Sequence, residues 1–437
     1  MRGKTTQQLS FGEGFIDPKL YELDDELKKV DQLLNNREFL KPFETVFDET
    51  MGRPGTPVDV YLRMMYLKFR WGLSYEEVET EVRERIPWRL FCHLSLMERV
   101  PDSTTLIKLN QRFGEELITA LNKKLIKYLV KTKSIKPRKI RIDSTTIESN
   151  IVYPTDIGLL HQTVKTLTRT VKKLGGKISD HSRATKKALA RLGASLKSKG
   201  KQKKEQAQKT LKAVNKLAQD TLSQCRRALP LLEKKHNTET IERLTEQIKL
   251  GEKILEQTQQ KLQGAESIPD RIVSFHDPEA RIIRKGKLSK PNEFGRTVQL
   301  MQCESGVILH YDVHQGNPND KTQAVPLVKK FKKEFHCSPT DVAADKGYYS
   351  QENIEKLSEL GVQRVAIPKI GRLNPKEHRK QKSRWFKALQ RFRCGIEAGI
   401  SMLKRKFLLD RSLSLGTTRT KTWVGFSILA YNLWQMA

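Results

Sequence analysis

No run of apolar residues in this chain approaches the roughly 18 to 20 that a membrane span needs. The closest, Trp423–Met436, is short and is interrupted by Asn432 and Gln435. A charged-then-apolar leader is also missing, so a soluble intracellular protein is expected. Cysteine is sparse: Cys92, Cys225, Cys303, Cys337 and Cys394 are scattered, with no Cys-x2-Cys pair and no His at zinc-finger spacing. That excludes a disulfide scaffold and a zinc finger, and leaves reduced thiols. Acidic residues are in short supply, with 50 Asp+Glu against 82 Lys+Arg and a net charge of +32. The excess is spread along the chain and makes a field attractive to a polyanion. Nucleic acid is the leading partner. A membrane surface fits less well, because the charge is not confined to an amphipathic anchor.

What is present divides the 437 residues into three zones. Residues 1–130 read as a helical N-terminal domain. Leu23, Leu27, Val30 and Leu34 recur at helical spacing, and Val58–Arg70 continues the pattern. The break Trp71-Gly72-Leu73-Ser74 precedes a capping box of Ser74 and Glu77, Pro87 opens another helix, and Asp102 and Ser103 cap one running to about Leu129. Helix, short glycine turn, helix resembles a DNA-binding helix-turn-helix, a pattern that any small helical bundle also shows.

Residues 138–159 and 269–437 form a second zone. Lys139–Ile147 alternates and is rich in β-branched residues, as a strand should be. After a gap the pattern resumes with short strands at Ile272–Phe275, Arg281–Ile283, Arg296–Cys303 and Val307–Val313. A helix to about Phe335, a strand Thr340–Ala344, a helix 351–360, a strand Arg364–Ile367 and a long helix from near Trp385 follow. Strands in series and then alternating with helices indicate an α/β mixed sheet. Residues 160–268 interrupt it as a long helical insertion between the first and second sheet strands. Between His161 and Ala265 lie 25 Lys+Arg and 9 Asp+Glu, half the chain's excess. Ile241, Leu244, Ile248, Leu255 and Leu262 fit a heptad with gaps at Gly251 and Thr258, Pro230 breaks the later helix, and Ser195–Lys204 reads as a solvated turn. A basic hairpin or short coiled coil is expected. It either grips a nucleic-acid backbone or serves as a solvated spacer.

The chemistry turns on three carboxylates. Asp143 follows Ile140 and Ile142 on a strand, where an unpaired charge is costly. Asp345 follows Val342-Ala343-Ala344 and precedes a turn. Glu397 shares a helix face with Arg393, four residues before it, and Lys404, seven after it. Singly each has an ordinary reading: a turn or cap for the aspartates, and an i,i+4 ion pair with Arg393 for Glu397. Together they suit phosphodiester chemistry with two divalent ions, for which hard oxygen ligands and Mg²⁺ (or Mn²⁺) are expected.

Three local patterns, Ile-Asp143-Ser-Thr, Ala-Asp345-Lys-Gly-Tyr and Arg393-x3-Glu397-x6-Lys404, resemble the DDE transposases of bacterial insertion sequences, in the insertion-sequence-five-like group. The run Gly52-Arg-Pro…Gly72-Leu-Ser…Asp102-Ser-Thr-Thr-Leu looks like that group's N-terminal domain. One departure is visible: Gln390 stands where the family signature often has Tyr. The resemblance implies an RNase H-like catalytic fold with Asp143, Asp345 and Glu397 as catalytic metal ligands. It implies cleavage at element ends to release a 3′-OH that is joined to target DNA. Arg393 and Lys404 would hold end DNA, with Lys346 and Arg405 beside them. Partners would be double-stranded terminal repeats and target DNA, with a dimer at synapsis, in a bacterial cytoplasm and on the nucleoid when bound. A non-catalytic regulator, a degenerate transposase, or a nuclease without strand transfer are the alternatives.

Other polar groups have plainer readings. Arg284-Lys285-Gly-Lys287 forms an auxiliary DNA-contact loop or an ordinary strand-to-turn segment. His310 and His314 share a strand face, but no Cys or Glu at matching spacing completes a zinc site.

Overall fold

A computed structural model of the chain describes residues 17–44, 55–195, 201–284 and 292–437. Lys285 and Lys287, the Gly52-Arg-Pro run and the middle of the Ser195–Lys204 turn lie outside the described residues. The chain divides into two units, residues 1–148 with 296–437, and residues 149–295.

The first unit opens with helices α1 (Asp25–Leu34), α2 (Lys41–Glu44), α3 (Val58–Trp71), α4 (Tyr75–Glu84), α5 (Ile86–Phe91) and α6 (Ser103–Lys131). Local chemistry sets their ends. Gly72 adopts the left-handed conformation that stops α3, and Ser74 and Glu77 form the reciprocal capping box that starts α4. Asp102 accepts from Thr105 N to start α6. That helix does not run straight to its end. Gly114, at φ 62 and ψ −166, breaks it into two rods. The hydrophobic period continues across the break, so the sequence pattern alone reads as one helix.

Below these helices Arg63 is buried and ion-paired to Asp59 and to Asp31 at 2.8 Å. His93 faces the same two carboxylates, Nδ1 at 2.7 Å from Asp59 and Nε2 at 3.1 Å from Asp31. Burial alone would lower the His93 pKa, but these hydrogen bonds raise it.

Strand β1 (Lys139–Ser149) then enters the sheet. The second unit follows with α7 (Asp156–Lys173), α8 (Ser182–Ser195), α9 (Lys201–Glu233), α10 (Thr238–Leu262) and β2 (Arg281–Arg284), which pairs antiparallel with the first residues of β3 (Asn292–Cys303). This unit is a bundle of four helices rather than a hairpin or coiled coil. Two helices could not cover the apolar surface that α7 carries at Leu160, Val164, Leu167 and Val171. The heptad gaps on α10 are also explained. Gly251 is buried, and a Cβ there would sit 2.8 Å from Thr163 Cγ2 and 3.1 Å from Leu222 Cδ2, so it marks the closest approach of three helices.

Two other expectations give way. Pro230 lies inside α9, which continues to Glu233; losing one backbone hydrogen bond near a helix end does not stop it. Ile272–Phe275 is not a strand, because the Gln257 side-chain amide pairs with both backbone groups of Ile272 at 3.0 Å and takes the place of a neighbouring strand.

The rest of the first unit comprises β4 (Ile308–Gln315), α11 (Ala324–Phe335), β5 (Asp341–Ala344), α12 (Gln351–Glu359), β6 (Arg364–Ala366), α13 (Pro375–Lys382), α14 (Arg384–Lys406), β7 (Arg411–Ser412) and α15 (Thr417–Met436). Its strands lie in the order β3, β1, β5, β6, with β4 on β3 and β7 on β1. The sheet is mixed: β3 and β4 are antiparallel, while β1, β5 and β6 are parallel. One face of β5 and β6 packs on α14, where Ala343 and Ala366 meet Phe386 and Leu389. The Trp423–Leu433 part of α15 is buried on every side, as its all-round apolar sequence requires. Among the described residues no helix is long and apolar enough to cross a membrane, and the five cysteines are unpaired.

Candidate active site

The register of β1 against β5 builds the site. Ile140 pairs with Val342, Arg141 with Ala343 and Ile142 with Ala344. The next residues are Asp143 and Asp345, so the two carboxylates leave neighbouring parallel strands side by side, with the strands about 4.8 Å apart. Side chains alternate along a strand, so Asp143 shares a face with Arg141, and Asp345 shares one with Ala343, which packs under α14. Asp345 starts the helical turn Lys346–Tyr348, yet its carboxylate makes no capping hydrogen bond. The ordinary explanation for this aspartate, a turn cap, does not hold for its side chain.

Helix α14 supplies the third carboxylate. Arg393 bridges two of them, with Nη2 at 2.8 Å from Glu397 Oε1 and Nη1 at 3.6 Å from Asp143 Oδ2. The Glu397 side chain is 62% exposed, whereas those of Asp143 and Arg393 are 19% and 13% exposed. Burial pushes the Asp143 carboxyl up to about 6. The Ser144 N–H and Arg393 oppose the rise, and the charges of Asp345 and Glu397 add to it. Asp143 therefore feels both other carboxylates. The Nε–H of Arg393 is buried and has no acceptor, leaving one charge-assisted donor for a ligand oxygen.

The donor set is oxygen only, which suits a hard divalent cation. Burial is the main cause of the raised Asp143 pKa, and such a cation relieves the smaller part that comes from Asp345 and Glu397. Among the described residues no three His, Cys, Asp or Glu side chains close tightly enough to hold an ion as they stand. Arg393 spans two of the carboxylates instead.

The remaining expected contacts are placed less tightly. Lys346 is exposed directly after Asp345. Lys404, two turns beyond Glu397, has its Nζ 3.9 Å from Asp410, and Arg405 is exposed beside it. Helix α4, which would be the recognition element of a helix-turn-helix, carries Glu76, Glu77, Glu79, Glu81 and Glu84 against Arg83 alone. That charge opposes a phosphate backbone.

Several positioning residues escape a reading by motif. Arg141 donates Nε–H to Gln302 Oε1 at 2.7 Å and Nη1–H to Phe392 O at 2.8 Å, with its guanidinium 4.8 Å from the Phe392 ring. It ties β1 to α14 one strand period before Asp143. Gly395 and Gly399 give the helix a bare face; a Cβ on Gly395 would overlap the Arg141 guanidinium, and one on Gly399 would lie 2.8 Å from Gln302 Nε2. Gln390, the departure from the family signature, donates to Ala366 O at 2.6 Å and Ala344 O at 3.4 Å. It fixes the strand end that presents Asp345. The spacing Arg-Ile-Asp143 and Gly-x3-Gly was the available signal for Arg141 and the two glycines.

Two aspartates at neighbouring strand ends and a glutamate on the basic helix α14 form an oxygen-rich acidic cluster, with Arg393 spanning two of the three. Comparison with known proteins gives it a family. The model of "Transposase DDE domain" matches residues 273–433, and that of "Transposase domain (DUF772)" matches residues 16–112. Between them they cover more than half of the chain, which belongs to the DDE transposases, enzymes of DNA cleavage and strand transfer. Asp345, Arg393, Glu397 and Lys404 fall within the first match, and Asp143 lies outside both. The uncharacterized protein ORF8 of the nfe locus of Rhizobium meliloti is 26% identical over 181 residues, spanning 37% of this chain and 87% of that protein. No solved structure matches.

Proposed function

We propose that Asp143, Asp345 and Glu397 are the catalytic carboxylates of this transposase, in an RNase H-like domain of residues 138–159 and 269–437. The observation that carries this reading is the β1–β5 register, which sets Asp143 and Asp345 side by side under the helix bearing Glu397. The three would hold Mg²⁺, with Mn²⁺ as a substitute. Bound there, a divalent ion supplies activation of the attacking oxygen and neutralisation of the leaving one. The chain's own residues do the rest. Arg393, released from Glu397, turns its free Nε–H and guanidinium to a DNA phosphate. Gln390 and Arg141 keep the strand ends and α14 in register. Lys346, Lys404 and Arg405 extend the cationic surface along which the DNA end lies.

In this reading water attacks the phosphodiester at the element terminus and releases a 3′-OH. The same site then directs that hydroxyl at a phosphate of target DNA. No covalent enzyme intermediate is needed, so no Tyr or Ser nucleophile is assigned. We assign the chain to the insertion-sequence-five-like group, acting as a dimer at synapsis in the bacterial cytoplasm. The 160–268 insertion acts as a basic DNA-gripping bundle and the 1–130 helices as the N-terminal domain.

The test is an end-cleavage and strand-transfer assay in Mg²⁺. Asp143→Ala, Asp345→Ala and Glu397→Ala should each lower both activities roughly a hundredfold or more while leaving DNA binding in place. Full cleavage by these variants would put the chemistry elsewhere. Cleavage without joined products would make the protein a nuclease, and salt-sensitive binding without cutting would make it a regulator.

A further inference from the structure

His310, Asp312 and His314 occupy one face of β4, because alternate residues on a strand point the same way. That face lines a cavity of about 660 Å³, walled also by α6, α11 and α15. The volume falls in the range of roughly 300 to 1,000 Å³ typical of small-ligand sites. None of the assigned catalytic or DNA-contact residues lines it.

Five ammonium groups face the cavity: Lys123 and Lys127 from α6, Lys330 and Lys333 from α11, and Lys421 from α15. Two carboxylates already neutralise part of this charge. Asp312 pairs with Lys330, and Glu115 lies 3.0 Å from Lys421. Lys123, Lys127 and Lys333 form no ion pair among the described residues. The wall also holds buried polar atoms that have no hydrogen-bond partner. These are His314 Nε2 and Glu334 Oε1, while His310 Nε2 lies 3.3 Å from Asp312. Buried polar atoms in folded proteins are nearly always paired. Two unpaired ones around a single cationic cavity mark a place where a ligand completes the bonding.

The set also describes the ligand. Three uncompensated lysines and two imidazoles favour a phosphate. Glu334 Oε1 is an acceptor, so the ligand also carries a donor such as a hydroxyl. Tyr311 also lines the cavity, with its hydroxyl 3.4 Å from Thr119 Oγ1. We propose that this cavity binds a phosphorylated sugar bearing a free hydroxyl, as presented by the terminal nucleotide of a DNA strand or by a free nucleotide. Recognition is by phosphate and sugar. The site is independent of the carboxylate assignment, since neither its residues nor its test involves cleavage.

The full chain is titrated with a deoxynucleoside monophosphate, a linear duplex, and a duplex whose ends are closed by hairpins. Calorimetry measures binding, and mass spectrometry follows protection of lysines from acylation. Saturable binding of the monophosphate with protection of Lys123, Lys127 and Lys333 is expected. The exposed substitutions Lys127→Gln and Lys333→Gln should each weaken it about tenfold, the loss of one charge-assisted hydrogen bond. Lys356→Gln on α12, exposed and outside the cavity wall, should leave it unchanged. Displacement of the monophosphate by the linear duplex but not the closed one identifies a strand end as the source. Displacement by neither identifies a free nucleotide. Absence of monophosphate binding, protection only by the closed duplex, or equal weakening by Lys356→Gln would overturn the proposal.

Discussion

At Gly395 the absence of a side chain decides how α14 meets β1. A Cβ there must displace the Arg141 guanidinium, which is held by Gln302 and by Phe392 O and cannot swing aside freely. Gly395→Ala should therefore lower stability by about 1 to 3 kcal/mol, the usual effect of overpacking. It should also reduce cleavage by shifting Glu397, two residues along the helix. Arg141→Met removes the obstacle, so the double variant should lose less than the sum of the two singles in thermal denaturation; strict additivity would show that the two residues do not meet. The catalytic candidates were legible because their types are conspicuous in place. Two short apolar runs each end in aspartate, and one glutamate sits between cations at helical spacing. Arg141 and Gln390 were not legible as functional, because an arginine or glutamine in a sequence does not reveal which backbone carbonyl it reaches.

Helices carry their own consequences. The left-handed Gly114 has nothing within 4 Å of where a Cβ would lie, so packing leaves room but backbone strain does not. Gly114→Ala should destabilise by about 1 kcal/mol or more through its positive φ, measured in denaturant titrations. In the second unit, Gly251→Leu should disrupt the crossing of α7, α9 and α10 and lower its melting temperature, whereas the exposed Lys253→Leu should not.

The cluster beneath α1, α3 and α5 predicts a pH response. His93 has a raised pKa, so its stabilisation is fully present below its ordinary value of 6.5 and is lost as pH rises through the raised one. Asp31 is lowered: burial alone would raise it, but hydrogen bonds from His93 and Arg63 outweigh this. Its contribution is present above 3.8 and is lost as pH falls through the lowered value. His93→Asn should flatten the alkaline side of the stability profile and also weaken the acid side, because Asp31 loses the first of the hydrogen bonds that lower it. A profile unchanged by the substitution would remove His93 from the account. Capping boxes and amphipathic periods made most of these helices readable in the sequence. The Gly114 break, the burial of Gly251 and the persistence of α9 past Pro230 were not, because each depends on what a distant helix places opposite.

Across the whole molecule, charge is the property least dependent on fold. With a net charge of +32, DNA affinity should fall steeply and linearly on a log–log plot against salt. Each phosphate-contacting lysine removed should reduce the slope by about one. A set of substitutions on α9, such as Lys209, Lys212 and Lys216 to Gln, tests whether the second unit makes such contacts; an unaltered slope would make it a spacer. The α/β character, the long helical interruption and the basic excess could all be read from composition and periodicity. The number of helices in the interruption could not, since coiled-coil and bundle sequences share the same heptads.

The separation of the three carboxylates along the chain also imposes an order in time. Asp143 is joined by Asp345 only after the intervening unit has been made, and by Glu397 later still. At about 5 to 20 residues per second, the interval from the first to the third is on the order of 10 to 50 seconds. Through its later part a nascent chain carries the lysine-rich α9 but lacks the third of the proposed carboxylates. Ribosome-stalled chains ending before Glu397 should therefore retain DNA without cutting it, and completion of α14 should switch chemistry on.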